Sequence, residues 1–381
     1  MGPDSIMAFF TSKLANPTTL SKLRPQLSGV ALAFIAVSLV ALVPFLSFMW
    51  HMACVLAFFV AVDSMALKDK AFAYFIRIAV FFFVRAPGLK VHLYGDFEEL
   101  QRRDENVLYM GNHQSSLDWL VACSLASWSR SLQRIRFMMK QELAWLPMIG
   151  YYTKVVGHIY IRRKGFKPDK LMESLADINN TKRPFWLAIY PEGTRYNPDD
   201  TKAIASSDES AVQQYPNMGL LKHQLTPKAK GTWLMIKNMR SKLKAVYSAT
   251  LVYEQAEPKG QRRRAPTATE VLAGGCTDSH LYVKRIPIEE VPDDETAFAT
   301  WLFAQCQDRD RMMADYYNSR SFSSWGPRMT YGGDSLFMDL VILALFTLGM
   351  LVSPFVRTIY LVQAVLGTLW GYGVLTFKPT F

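Results

Sequence analysis

Between Ser28 and Val62 the chain carries no Asp, Glu, Lys or Arg, and His51 is the one base in the run. That is longer than the roughly 20 apolar residues one helix needs to cross a bilayer, and too long for the core of a signal peptide. The run reads as a tight helical hairpin, Leu27 to Trp50 and then Met52 to Leu67, with the second arm short or re-entrant. The aromatic stretch Phe72 to Val84 carries Arg77 in its middle, which suits an interfacial segment whose guanidinium reaches the headgroups. Near the carboxyl terminus, Leu340 to Val356 and Thr358 to Phe377 are uncharged, with Arg357 between them and Pro354 close by. They read as a second hairpin. For each segment the competing reading is a buried core helix.

Three regions follow: membrane-anchoring helices over residues 1–84, a folded domain over 85–330, and a membrane hairpin over 331–381. Lys13, Lys22 and Arg24 precede the first hairpin, and Lys68 and Lys70 follow it. By the positive-inside rule both flanks, and the domain between the hairpins, face the cytosol. Asn179-Asn180-Thr181 fits a glycosylation acceptor; it is read as unused, and a glycan there would invert the topology. The net charge of +11 favours an anionic partner. Beside such hydrophobic ends that partner is a bilayer surface, not nucleic acid. Cys54, Cys123, Cys276 and Cys306 include no Cys-x-x-Cys pair, so neither a disulfide framework nor a cysteine zinc site is indicated.

Between about Arg85 and Ser324 short apolar runs alternate with amphipathic stretches. Val107–Met110, Ile135–Met139, Val155–Ile161, Phe185–Tyr190 and Val246–Tyr253 read as strands. Ser116–Trp128, Pro168–Asn179 and Asp293–Tyr317 read as helices. That alternation predicts an α/β domain with a mostly parallel or mixed sheet flanked by helices. Gln261-Arg262-Arg263-Arg264, between Pro258 and Pro266, reads as a charged loop, either a solvated turn or a contact for lipid headgroups.

His113 follows the strand Val107–Met110, in a strand-to-helix turn at the carboxyl end of the strand, where α/β folds place ligands. On one continuous helix His113 and Asp118 would lie about 140° apart. If the helix starts after His113, Asp118 in its first turn can reach back to the ring. It would then fix the tautomer and leave the other nitrogen to accept a proton. The bland alternatives are a turn histidine, and a capping box between Ser115 and Asp118. Further on, Phe185–Tyr190 breaks at Pro191, Gly193 lets the backbone turn closely round a ligand, and Arg195 offers a planar fork for phosphate oxygens. Lys140 and Arg163 read either as ligand-binding cations or as a surface charge and a strand-end residue. His158, in an apolar run, reads as packing; His223, with no carboxylate at readable spacing, reads as structural. The sequence contains no Gly-x-Ser-x-Gly, no Walker loop and no metal-ligand spacing.

The succession Asn112-His113-x4-Asp118, Lys140-x-Glu142-Leu143, Gly157-x-Ile159-Tyr160-Ile161-x-Arg163 and Glu192-Gly193-Thr194-Arg195 resembles the glycerolipid acyltransferase family. Tyr190 to Pro198, Leu221 to Pro227 and Leu251 to Glu254 make it similar to the epsilon-type 1-acyl-sn-glycerol-3-phosphate acyltransferases and the related lysocardiolipin acyltransferases. Leu225-Thr226-Pro227 departs from the proline-rich fourth motif of bacterial members. The resemblance implies that His113 takes the proton of an acceptor's 2-hydroxyl and that Asp118 holds His113. Lys140 and Arg195 would bind the acceptor phosphate, with Arg163, Glu192, Gly193 and Thr194 shaping the same site. It implies acyl-CoA as co-substrate, no cofactor, and lysophosphatidate as acceptor, with lysocardiolipin or lysophosphatidylinositol as alternatives. The expected location is the endoplasmic reticulum membrane, the alternatives being the mitochondrial outer membrane and the nuclear envelope. From other classes, the competing readings are a catalytically idle lipid-binding protein and a lipid hydrolase.

Overall fold

The computed structural model describes residues 64–101, 104–147, 149–162, 168–180, 184–333 and 335–377. The Leu27–Trp50 arm, most of Met52–Leu67, and Arg163 lie outside the described residues. In chain order the elements begin with α1 (Ser64–Val80), β1 (Lys90–Gly95), α2 (Phe97–Gln101), β2 (Val107–Gly111) and α3 (Asp118–Trp128). Then come β3 (Ile135–Lys140), α4 (Ile149–Val156), β4 (Ile159–Ile161), α5 (Pro168–Asn180) and β5 (Trp186–Ile189). The third group is α6 (Thr201–Gln214), α7 (Ala229–Met239), β6 (Ala245–Tyr253), α8 (Ala268–Leu272) and β7 (Asp278–Pro287). The chain continues with α9 (Glu295–Ser319), β8 (Met329–Tyr331), α10 (Phe337–Val352) and α11 (Pro354–Phe377).

The strands form one sheet in the order β4-β3-β5-β2-β6-β7-β1-β8. Strands β4 to β6 in that order run parallel, β7 turns antiparallel to β6, β1 is parallel to β7, and β8 is antiparallel to β1. This is the mixed sheet expected from the strand and helix pattern. Side chains alternate strictly across it. Val107, Tyr109, Trp186, Ala188, Tyr247 and Ala249 pack toward α1 and α3. Leu108, Met110, Leu187, Ile189 and Val246 pack toward α5, α7 and α9. Covered on both faces, β6 buries every one of its residues, and so does β2. These two central strands can therefore offer ligands only their ends.

Two sequence readings are corrected. Phe72–Val84 does not lie at an interface with Arg77 among headgroups: Phe72, Ile76, Ala79, Phe82 and Val84 are buried in the core. Arg77 instead makes a two-pronged ion pair with Asp339 of α10, at 2.7 Å through both Nε and Nη2. Val155–Ile161 is not one strand either. Val155 and Val156 end α4, and Gly157 takes a left-handed φ of +99°. Its N–H bonds the Lys154 carbonyl at 2.9 Å and the His158 N–H bonds the Thr153 carbonyl at 3.0 Å, which closes the helix in a Schellman turn.

Helices α10 and α11 form an apolar pair bent by 105° at Ser353–Pro354. Among the described residues no single helix is long and apolar enough to cross a membrane. The pair nevertheless exposes large side chains, among them Leu351 (70%) and Phe355 (72%). Tyr372 of α11 donates to the Trp145 carbonyl at 3.0 Å, so the pair docks beside the segment that follows Lys140.

Candidate active site

Strands β2 and β5 lie side by side and parallel, so the turns that follow them emerge together at one edge of the sheet. The turn after β2 carries His113, and α3 begins at Asp118 itself. Asp118 therefore sits in the first helical turn and reaches back, as the spacing predicted: His113 Nδ1 lies 2.8 Å from Asp118 Oδ2. The same oxygen accepts the backbone N–H groups of Gln114 at 2.6 Å and Ser115 at 2.9 Å. The other oxygen accepts the Tyr253 hydroxyl at 3.0 Å. A carboxylate with no exposed surface and four donors is held as the acceptor, so Nδ1 carries the ring proton. Nε2 is left as the free basic nitrogen. Only half of the Ser115–Asp118 capping box forms, the Asp118 carboxylate accepting the Ser115 N–H. Ser115 Oγ accepts from the Leu117 N–H at 3.2 Å and donates to the Pro266 carbonyl at 2.6 Å.

The turn after β5 grips His113 by its backbone. Glu192 Oε1 accepts the His113 N–H at 2.6 Å, and the Tyr196 N–H donates to the His113 carbonyl at 2.7 Å. Glu192 Oε2 accepts the Leu225 N–H at 2.9 Å. Tyr190 stacks on the imidazole, with ring centroids 4.5 Å apart and planes 21° from parallel. Glu192 is thus a buried bracket, each carboxylate oxygen taken by a backbone N–H. Gly193 turns with φ +71°, and Thr194 and Arg195 are exposed just beyond. Lys140, also exposed, ends β3, the strand on the other side of β5. His113, Asp118, Lys140 and the Glu192–Arg195 turn therefore share one sheet edge.

Burial pushes the Glu192 carboxyl up to about 8, against the pull of its two backbone donors and of Arg309. An acid raised in the fold binds its proton more tightly there than in the unfolded chain. Stability therefore falls as pH rises from the ordinary glutamate range to about 8. Glu192→Gln has no such titration, so the stability advantage of wild type over this variant should shrink across that window. Thermal midpoints of both proteins at pH 5, 6.5 and 8 check this; a gap independent of pH would contradict it.

Three participants were not identified from the sequence. Tyr190 was read as the end of a strand and the start of a family motif, not as a partner of His113, although alternation from Ala188 places it on the Tyr109 face. Tyr253 meets Asp118 from 135 residues away, a contact no local spacing reports. Arg262 lies between the rings of Tyr196 (4.3 Å) and Tyr317 (4.8 Å) and donates to Gln114 Oε1 at 2.8 Å and the His223 carbonyl at 2.7 Å. Half-buried, it braces the turn holding His113, while Gln261 and Arg263 of the same loop are exposed, in keeping with a solvated turn. Its neighbours Arg263 and Arg264 pair with Glu257 and Glu270. Tyr253→Phe removes one bond to Asp118 and should cost about 1 kcal/mol, a rate loss below roughly tenfold. A loss beyond a hundredfold in steady-state kinetics would give that hydroxyl a larger role.

His158 is packing, as read: Nδ1 accepts the Phe137 N–H at 3.0 Å and Phe72 meets the ring edge-on. Burial holds it neutral, its pKa lowered to about 3. Burial, Arg262 and Lys222 lower His223 to about 4. Neither is placed to act as a base at neutral pH.

An acyltransferase family model matches residues 90–243, and an acyltransferase C-terminus model matches residues 270–343. The mouse (Mus musculus) 1-acyl-sn-glycerol-3-phosphate acyltransferase epsilon is 34% identical over 313 residues, 80% of this chain and 84% of that protein. The Brassica oleracea 1-acyl-sn-glycerol-3-phosphate acyltransferase 2 is 29% identical over 62% of this chain and 58% of its own length. Among solved structures, the 1-acyl-sn-glycerophosphate (LPA) acyltransferase PlsC from Thermotoga maritima aligns with a TM-score of 0.45 at 16% identity, over 77% of this chain and 98% of that one. On the extent of the epsilon match, the chain belongs to the 1-acyl-sn-glycerol-3-phosphate acyltransferase family of enzymes.

Proposed function

We propose that this enzyme transfers an acyl group from acyl-CoA to the sn-2 hydroxyl of lysophosphatidate, giving phosphatidate. One observation carries the reading: Asp118 engages Nδ1 of His113 at 2.8 Å, which leaves Nε2 as the ring nitrogen available to a substrate at the open edge of the sheet. As the acceptor hydroxyl attacks the thioester carbon, Nε2 takes its proton. The tetrahedral intermediate expels the coenzyme A thiolate, which recovers that proton from the imidazolium. Buried Asp118 stabilises the imidazolium in between. No acyl-enzyme forms, and the reaction needs no cofactor beyond acyl-CoA as co-substrate.

Lys140 and Arg195 hold the acceptor phosphate, and Arg163 belongs to the same assignment. The bilayer is the third partner, since acceptor and product both reside in a leaflet. The exposed apolar faces of α10 and α11 support that part of the reading. The enzyme sits in the endoplasmic reticulum membrane with its catalytic domain toward the cytosol.

Purified full-length protein, reconstituted with acyl-CoA and a panel of lysophospholipids, tests the assignment through thiol release and product lipid. Lysophosphatidate should be the preferred acceptor. Preference for lysocardiolipin or lysophosphatidylinositol would move the reading to acyl-chain remodelling, and absence of acceptor-dependent thiol release would end it. Arg195→Ala should raise the acceptor KM about tenfold and leave the acyl-CoA KM unchanged; an unaltered acceptor KM would remove Arg195 from the phosphate.

A further inference from the structure

Tyr190, which stacks on His113, also lines a cleft of about 220 Å³ walled by Met138 of β3, Ile161 of β4, Leu171 of α5 and Met235 of α7. Arg162, Lys228 and Lys230 stand at this apolar cleft, and no carboxylate is among its described lining residues. Lys228 is tied to the Glu192–Arg195 turn twice. Its N–H donates to the Pro191 carbonyl at 2.8 Å. Its side chain lies on Gly193, where a Cβ would come within 3.2 Å of both Cδ and Nζ. The glycine therefore serves two purposes, the left-handed turn and the seat of a lysine. Arg162 is steered by donating from Nε to Gln141 Oε1 at 2.8 Å. Lys228 and Lys230 are both exposed.

Apolar walls edged by lysines match a ligand that carries a phosphate at the end of a chain. The volume is below the roughly 300–1,000 Å³ of pockets that enclose a whole drug-sized ligand, so the cleft takes one portion of a longer molecule. We propose that it seats a phosphate-bearing amphiphile, with the phosphate against Lys228 and Lys230 and the adjoining chain along Met138, Leu171 and Met235. This rests on the acyltransferase reading, under which two substrates have that chemistry. One is the lysophospholipid acceptor, and the other is the phosphorylated coenzyme of the donor.

Steady-state kinetics on the full chain in mixed micelles, varying oleoyl-CoA and 1-oleoyl-lysophosphatidate in turn, separate the two. Equilibrium binding of each compound alone to the same protein runs alongside. The Lys228→Ala/Lys230→Ala double variant should raise one KM about tenfold with little change in kcat. Lys228→Arg/Lys230→Arg should restore it, and Met235→Trp should weaken binding of that same compound. A rise confined to lysophosphatidate assigns the phosphate to the acceptor; a rise confined to oleoyl-CoA assigns it to the donor. Unchanged KM and binding for both compounds, an equal rise for both, a fall in kcat alone, or no rescue by arginine overturns the proposal. If wild type binds one compound through these lysines yet transfers no acyl group, the cleft assignment stands and the acyltransferase reading fails.

Discussion

His113→Ala will slow acyl transfer at least 10²-fold, about 3 kcal/mol of barrier, while the protein stays folded. The fold survives because alanine keeps both backbone contacts of this position, the N–H to Glu192 and the carbonyl from Tyr196. Asp118 keeps three of its four donors, Gln114 N, Ser115 N and the Tyr253 hydroxyl. What disappears is the nitrogen that accepts the hydroxyl proton. Turnover at saturating acceptor and the thermal midpoint, measured on the same preparation, report the two effects separately. A folded variant with normal turnover would show that His113 is not the base.

Asp118→Asn is expected to cost about 10³-fold in turnover with a smaller loss of stability than Asp118→Ala. The amide oxygen can take the Oδ2 position and accept the two backbone N–H groups. Its NH2 then faces the Tyr253 hydroxyl, which can accept. Geometry is kept, but the charge that stabilises the imidazolium is gone. Asp118→Ala leaves the Gln114 and Ser115 N–H groups buried without an acceptor, at roughly 1–3 kcal/mol each. Comparing turnover and thermal midpoints of the two variants separates charge from scaffolding. Equal turnover of Asp118→Asn and wild type would show that the carboxylate only shapes the turn.

How much of this was legible in the sequence follows from how local each contact is. The His113–Asp118 pair spans five residues of one strand-turn-helix unit, so spacing and the helix start were enough to place it. The Glu192–Arg195 turn was recognised as shaping the site, but the contacts of Glu192 were not. Its two partners, His113 N and Leu225 N, come from segments 79 and 33 residues away. Tyr253 and Arg262 were hidden for the same reason. Phe72–Val84 was misplaced because a helix apolar on most sides has the same composition in a protein core as at a bilayer. Its partner Asp339 lies 262 residues on. Val155–Ile161 was misread because a short apolar run fits either period; only the glycine at its centre marked the break.

Rapid-quench single turnover with radiolabelled acyl-CoA tests the central claim most directly. Mixed with enzyme alone, the label should stay on coenzyme A, with no burst of free thiol. On addition of lysophosphatidate it should pass straight to phosphatidate, one thiol released per product formed. Label trapped on the protein, or thiol released before acceptor is present, would contradict direct attack by a hydroxyl that His113 deprotonates.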